Sequence, residues 1–379
     1  MRIDAYTHFI PRKFFEAVEK IPGAGTDIGK RMRGVPCIYD LDERRRVVAS
    51  FPDYAQILSY PMPPLENFTS GDELDGLVHM INDGFAEIVE KHADQFPGFV
   101  AQVSLASPAE AVKEAQRAVR ELGACGVQIY TNVNGKAIDK PEYEEFWATM
   151  SALDKPIWLH PARTAARPDY VDESKSLYEI WWTFGWSYET ATAMARLVFS
   201  KILDRHPDLK IIVHHFGGIV PMLEGRVGPG WDQLGTRTSD EDYISLRNSL
   251  KKRPLAYFKE NFYADTAVFG ADAATVCGLA FYPIDKVVFA SDCPFDPEKG
   301  TGYIRETLRI LSSLNLAKNV QDKIFFGNLE KITGKTFVKS PGVIAAGTPR
   351  QRTAPRRPAP VGTRRSGVSG PASCRSPRA

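Results

Sequence analysis

Paired cysteines are missing from this chain. Its five thiols (Cys37, Cys125, Cys277, Cys293, Cys374) are scattered, with no Cys-x-x-Cys pair, which excludes a disulfide framework or a thiolate zinc site as the organising feature. Reduced thiols are expected. No run approaches the roughly 18 uninterrupted apolar residues of a membrane helix, and the start, MRIDAYTHFIP, lacks the basic region and apolar stretch of a secretory signal. These two absences predict a soluble, cytoplasmic protein with no membrane partner. Acids and aromatics are absent from one region: residues 340–379 hold eight arginines and seven prolines without a single Asp, Glu or aromatic ring. Removing those arginines from the net charge of +2 leaves the rest near −6. Such a composition buries too little surface to offset its ordering entropy, so 339–379 is expected to be a disordered Pro/Arg-rich tail. A nucleic-acid-binding arm is the alternative use of such a tail, and nucleic acid is not the expected partner.

What is present is alternation. Short apolar, β-rich runs occur at 1–6 (MRIDAY), 54–59 (YAQILS), 98–105 (GFVAQVSL), 126–130 (GVQIY), 156–160 (PIWLH), 209–215 (LKIIVHH), 262–266 (FYADT) and 286–292 (KVVFASD). Amphipathic stretches at 72–92, 108–121, 141–153, 188–205 and 302–313 lie between them. Eight β-then-α units within residues 1–338 predict an α/β fold of the (β/α)8 TIM-barrel type, and near-continuous apolar strands suit a parallel sheet covered on both faces. A doubly wound open sheet is the alternative. Segments 20–40 and 161–187 are long excursions that suit a cap over the barrel mouth.

A TIM barrel builds its active site at the C-terminal ends of its strands. The first run ends in Tyr6-Thr7-His8, with residues 6 and 8 on one side because side chains alternate. The fifth ends in His160, the sixth in His214-His215 before Phe216-Gly217-Gly218, and the eighth in Ser291-Asp292. Four of the seven histidines therefore fall at strand ends. Singly, each suits a satisfied core polar residue, and Asp292 suits a turn cap. Together, neutral imidazoles and a carboxylate converging on one mouth suit zinc or another borderline divalent ion.

The succession of a first-strand motif ending in His8, then LHPAR, IIVHHFGGIVP and FASDCPFD resembles the amidohydrolase superfamily. The likeness covers about residues 1–337 and is greatest in the branch that contains aminocarboxymuconate semialdehyde and resorcylate decarboxylases. The resemblance implies a metal-dependent enzyme in which His8, His160 and Asp292 bind a divalent ion, Zn2+ first with Mn2+ or Fe as alternatives. It also implies that His215 transfers protons beside Asp292. His214, its neighbour, is expected to face away from the strand unless a bulge turns it inward toward the metal. The pattern departs at Tyr6, where the branch places a first ligand. Three outcomes stay open: three protein ligands plus water, a phenolate ligand on a harder ion such as iron, or a site without metal.

The function implied is non-oxidative decarboxylation of a small carboxylic acid. Hydrolysis or hydration on the same centre is a second possibility; a non-haem iron or iron–manganese oxygenase using Tyr6 and the histidine pair is a third, and a scaffold partner subunit a fourth. Candidate substrate contacts are Arg163, Arg46 in the Arg44-Arg45-Arg46 run, and Trp182 and Trp186 in an aromatic-dense excursion. The arginine run also suits a solvated helix face, and the tryptophans suit core or interface. A homodimer, or a heteromer with a homologous chain, is the expected assembly.

Overall fold

A computed structural model describes residues 1–25 and 29–338; the arginine-rich segment 339–379 lies outside the described residues. Each of the eight apolar runs forms a strand. In chain order these are β1 (Arg2–His8), β2 (Tyr54–Ser59), β3 (Gly98–Phe99, continued by Ala101–Gln102), β4 (Val127–Tyr130), β5 (Ile157–His160), β6 (Ile211–Val213), β7 (Phe262–Asp265) and β8 (Val287–Val288). Neighbours pair in parallel from β1 to β8. Val100 joins the two halves of the sheet by donating its N–H to Leu58 O at 2.8 Å. The ends also meet, because Ala5 N donates to Phe289 O and His8 N donates to Cys293 O, both at 2.8 Å. The result is a closed TIM barrel, not an open doubly wound sheet.

Period-two alternation sorts the strand residues into two cores. Ile3, Ala5, Ala55, Ile57, Val100, Trp158, Ile212, Val288 and Ala290 pack together inside the barrel. Leu58, Phe99, Val127, Ile129, Ile157, Leu159, Ile211, Val213 and Val287 pack outward against the helices. This explains why the runs look continuously apolar: both faces of every strand are covered.

The helices follow from period 3.6. Gly71–Lys91 buries Leu74, Leu77, Val78, Ile81 and Phe85 on one stripe, at about 1.5–3 kcal/mol for each large side chain fully removed from water. Pro108–Arg120, Glu144–Leu153 and Gly302–Ser313 stand where the pattern places them. The stretch 188–205 divides into Gly185–Phe199 and Ile202–Arg205 at Lys201, whose φ of 65° cannot continue a helix. Leu41–Ala49, Pro254–Glu260 and Asp272–Phe281 are further helices. The first of these is capped by Asp40, whose carboxylate accepts from Asp42 N at 3.0 Å and Glu43 N at 3.1 Å.

Candidate metal and proton-transfer site

The inward parity of each strand carries its last polar residue into the barrel mouth. On β5, Trp158 points inward and so does His160; on β6, Ile212 points inward and so does His214. His214 therefore does not face away as expected: it shares the parity of Ile212, is 1% exposed, and lies 5.3 Å from His160 and 6.1 Å from His8 between ring centroids. His215 reaches the site by another route. The strand ends at Val213, and His215 and Phe216 take φ values of 55° and 52°, reversing the chain so that the His215 ring stacks on His214 at 3.6 Å. Asp292 also has a left-handed backbone, with φ of 63°. Such non-glycine residues cost roughly 1–3 kcal/mol each and persist where packing holds them. Glycine at residue 218 helps make room for this reversal: a Cβ there would sit 2.3 Å from Ser187 O.

His8, His160 and His214 each offer a ring nitrogen, all within 4.8 Å of one another, and Asp292 shares a similar cluster with His214 and His215. Asp292 Oδ1 is 2.9 Å from His8 Nε2 and 3.5 Å from His214 Nε2, while Oδ2 is 3.7 Å from His215 Nε2. The Nε2 atoms of His8, His214 and His215 are buried without an aligned hydrogen-bond partner among the described residues. Lone pairs and a carboxylate oxygen in contact, but not aimed as donor to acceptor, fit a divalent cation between them.

The electrostatics divide the four imidazoles into three held neutral and one held protonated. Burial lowers the pKa of His160 well below the ordinary value, with the charges of His214 and His8 adding to it. His8 is lowered first by burial, and His215 by burial and then by His214. Burial also opposes the proton on His214, but the carboxylates of Asp265 and Asp292 outweigh it and raise its pKa to about 9. Burial alone would raise Asp292; the surrounding imidazoles of His214, His215 and His8 instead hold it well below the usual carboxylate range. Tyr6 is a buried neutral phenol, its pKa raised by burial and by the nearby Asp265 and Asp292.

Tyr6 lies against the cluster, 4.9 Å from His8 and 4.7 Å from His214 between centroids. Its hydroxyl donates to Gln128 Oε1 at 2.6 Å. Gln128 Nε2 is anchored in turn by Tyr60 O at 2.9 Å and Gln102 Oε1 at 3.0 Å. Trp186, 5.8 Å from His160, walls the site, and so do Phe295, 5.7 Å from His8, and Phe269, 5.5 Å from His215. Trp182 stands one ring further out, 6.2 Å from Trp186, and donates Nε1 to Glu179. Arg163 is close by, since its carbonyl accepts from Trp186 Nε1 at 3.2 Å. Its guanidinium, however, turns to Asp169 at 3.3 Å and Glu189 at 3.8 Å, which already neutralise it.

Arg46 requires correction. It projects from Leu41–Ala49 with its side chain 67% exposed and pairs with Glu43 one turn earlier. The helix turns Arg44 and Val48 inward instead, and Arg44 donates Nε to Gln56 Oε1 at 2.7 Å. Asp265, at the end of β7, is the residue that sequence reasoning missed. Fully buried, it accepts from His214 Nδ1 at 2.6 Å and from His215 N at 3.0 Å. A carboxylate ending FYAD, like the imidazoles ending β5 and β6, was the available signal.

Comparisons with known proteins agree with this architecture. A gamma-resorcylate decarboxylase of Polaromonas sp. is 28% identical over 267 residues, 68% of this chain and 78% of that protein. A 2-amino-3-carboxymuconate-6-semialdehyde decarboxylase of Dictyostelium discoideum is 24% identical over 88% of this chain and 92% of its own length. Among solved structures, a 5-carboxyvanillate decarboxylase of Novosphingobium aromaticivorans, complexed with manganese and a nitrobenzoic acid, superposes with a TM-score of 0.72. It is 23% identical and covers 88% of this chain and 96% of its own. Residues 3–332 match the amidohydrolase family profile Amidohydro_2, and the chain, a barrel whose mouth gathers histidines and Asp292 that could hold a metal ion, belongs to that family.

Proposed function

We propose that this chain is a metal-dependent decarboxylase that removes the carboxylate of a small aromatic acid without an oxidant. The observation that carries the proposal is the meeting of His8, His160 and Asp292 with a more exposed His215 inside an aromatic-walled mouth. His8, His160 and Asp292 hold the divalent ion, which when bound supplies a Lewis acid that polarises and orients substrate oxygens. Imidazole and carboxylate donors favour Zn2+ while accepting Mn2+.

His215 performs the proton transfer. Its side chain is 12% exposed, against 0% for His8 and 1% for His214, which makes it the imidazole of these three nearest the open mouth, although its Nε2 is itself buried. Once it has taken up a proton, which its lowered pKa makes it release readily, it delivers that proton to the ring carbon that bears the carboxylate, forming a C–H bond. The C–C bond to the carboxylate then breaks, its electron pair restores the aromatic ring, and CO2 leaves. Asp292, in contact with three imidazoles, keeps the His215 ring oriented. The walls Trp186, Phe269 and Phe295 accept a planar substrate by edge and face contacts.

Exposed Tyr170, Tyr178, Phe184 and Tyr188 support a homodimer or a heteromer with a homologous chain, and a cytoplasmic setting belongs to the same proposal. The test is a panel of hydroxylated benzoates incubated with the metal-loaded protein while released CO2 is measured. Release of CO2 from at least one member is expected. If every member is left intact while amides or lactones are hydrolysed, the decarboxylase proposal is lost to hydrolysis on the same centre.

A further inference from the structure

Two loops at the mouth meet on a side chain that the proton transfer leaves unused. The segment after β8 carries Phe295 and then Asp296, which is 1% exposed and accepts from Glu298 N and Gly300 N at 2.8 Å and from Gly302 N at 3.0 Å. Those bonds fix the start of the helix Gly302–Ser313, and a Cβ at residue 302 would stand 2.7 Å from Asp296 Oδ1. The second residue of that helix, Tyr303, is thereby held at the rim. After β7, Phe269 takes a left-handed φ of 60° and stacks on Tyr303, with ring centroids 4.3 Å apart and planes at 26°. Gly270 lets the loop and the helix close on each other, because a Cβ there would lie 2.3 Å from Glu306 Cβ, about one turn beyond Tyr303.

Packing holds the Tyr303 ring, but its hydroxyl is uncommitted. The side chain is half-buried, and its oxygen has no hydrogen-bond partner among the described residues. Buried tyrosine hydroxyls usually find a partner, as those of Tyr6, Tyr54, Tyr130 and Tyr257 do here. The Tyr303 hydroxyl also lies within the field of the metal site: burial, and then the Asp292 carboxylate, push its pKa up to about 12. It is a neutral donor at any ordinary pH. One ring, Phe269, separates Tyr303 from His215, 5.5 Å from Phe269 between centroids. A benzoate ring laid along Phe269 from His215 covers the same span, so its positions away from the carboxylate arrive at Tyr303.

We infer that Tyr303 is a specificity-determining residue, whose hydroxyl donates a hydrogen bond to an oxygen substituent on the ring of the aromatic acid, away from the carboxylate. This rests on the aromatic-acid reading above and narrows the substrate class to acids oxygenated at ring position 3 or 4. Tyr303 takes no part in the proton transfer, so its effect falls on substrate binding.

The probes are benzoate, 3-hydroxybenzoate and 4-hydroxybenzoate, titrated by calorimetry into the full chain loaded with zinc. Tyr303→Phe keeps the stack on Phe269 and removes only the hydroxyl. At least one hydroxybenzoate is expected to bind wild type about three- to tenfold more tightly than benzoate, the worth of one net hydrogen bond. That advantage should vanish in Tyr303→Phe while the Kd of benzoate stays unchanged. For a hydroxybenzoate that releases CO2, KM should rise by the same factor at constant kcat. Equal affinities for the three probes in wild type, or an advantage that survives in Tyr303→Phe, overturn the assignment. So does an equal weakening of all three, which would make the ring a wall and nothing more. A wild-type chain that shows the Tyr303-dependent advantage but releases no CO2 from any aromatic acid keeps this assignment and loses the decarboxylase reading. Failure of all three probes to bind the loaded chain overturns both.

Discussion

Tyr6 and Gln128, 122 residues apart in sequence, meet inside the barrel through a 2.6 Å hydrogen bond in which the phenol is the donor. Tyr6→Phe keeps the ring and removes that donor, leaving the buried Gln128 Oε1 without its partner, at a cost of about 1–3 kcal/mol. Metal content should survive. Elemental analysis alongside denaturant titration checks both halves; loss of metal from a folded Tyr6→Phe protein, or bleaching of a visible band, would instead make the phenolate a ligand.

Asp292 and His215 should separate in their effects. Asp292→Ala removes a carboxylate that touches three imidazoles and leaves neutral rings facing a dication, so metal occupancy should collapse. His215→Gln should leave the metal in place while the rate falls about 10²- to 10⁴-fold, the range for a lost general acid. Metal analysis with single-turnover kinetics distinguishes them, and equal loss of metal in both variants would cancel the division of roles.

Glu66 supplies a pH signature away from the metal. It sits in the short helix Leu65–Asn67, 7% exposed, and accepts from Ser104 Oγ at 2.9 Å. Burial raises its pKa to about 7, from an ordinary 4.5. The folded state therefore binds a proton that the unfolded state releases, so stability falls as pH rises from about 4.5 to 7 and levels off above. The loss amounts to roughly 3 kcal/mol at 1.36 kcal/mol per unit. Glu66→Gln should gain about that much relative to wild type between pH 4 and pH 8. Urea titrations at both pH values measure it, and a constant difference would refute it.

Trp158 tests the inner core. It is fully buried inside the barrel and donates Nε1 to Ala5 O at 3.1 Å, linking β5 to β1. Trp158→Ala should cost about 3–5 kcal/mol through the cavity it opens, visible as a lower denaturation midpoint. A loss under 1 kcal/mol would mean that the interior collapses around the gap.

Much of the barrel was legible because two-sided burial leaves uninterrupted apolar runs, and all eight coincide with strands. The site was legible in part. His8, His160 and Asp292 stand at strand ends, where the fold concentrates chemistry, but the orientation of His214 was misjudged for want of a fixed reference. Parity is known only relative to a residue of known direction, and Ile212 gives that direction once the interior is seen. Arg46 was misplaced for a related reason. Three adjacent arginines look alike in sequence, whereas 100° of helical rotation per residue buries Arg44 and exposes Arg46. Asp265 passed unnoticed because an aspartate followed by threonine reads equally well as the start of a loop.

The closure of β1 against β8 has a consequence for biosynthesis. Asp4 accepts from Ser291 N at 3.1 Å across 287 residues of sequence, and His8 meets Asp292 beside that bond. During translation the first strand emerges with nearly the whole barrel still unmade, and its partner is the last of the eight strands to be made. The metal centre is therefore absent from every nascent intermediate that has not yet released Asp292, and arises only when the ring is complete. Ion uptake consequently reports on closed barrels, and a fusion or truncation that disturbs the first eight residues removes the seam and a ligand together.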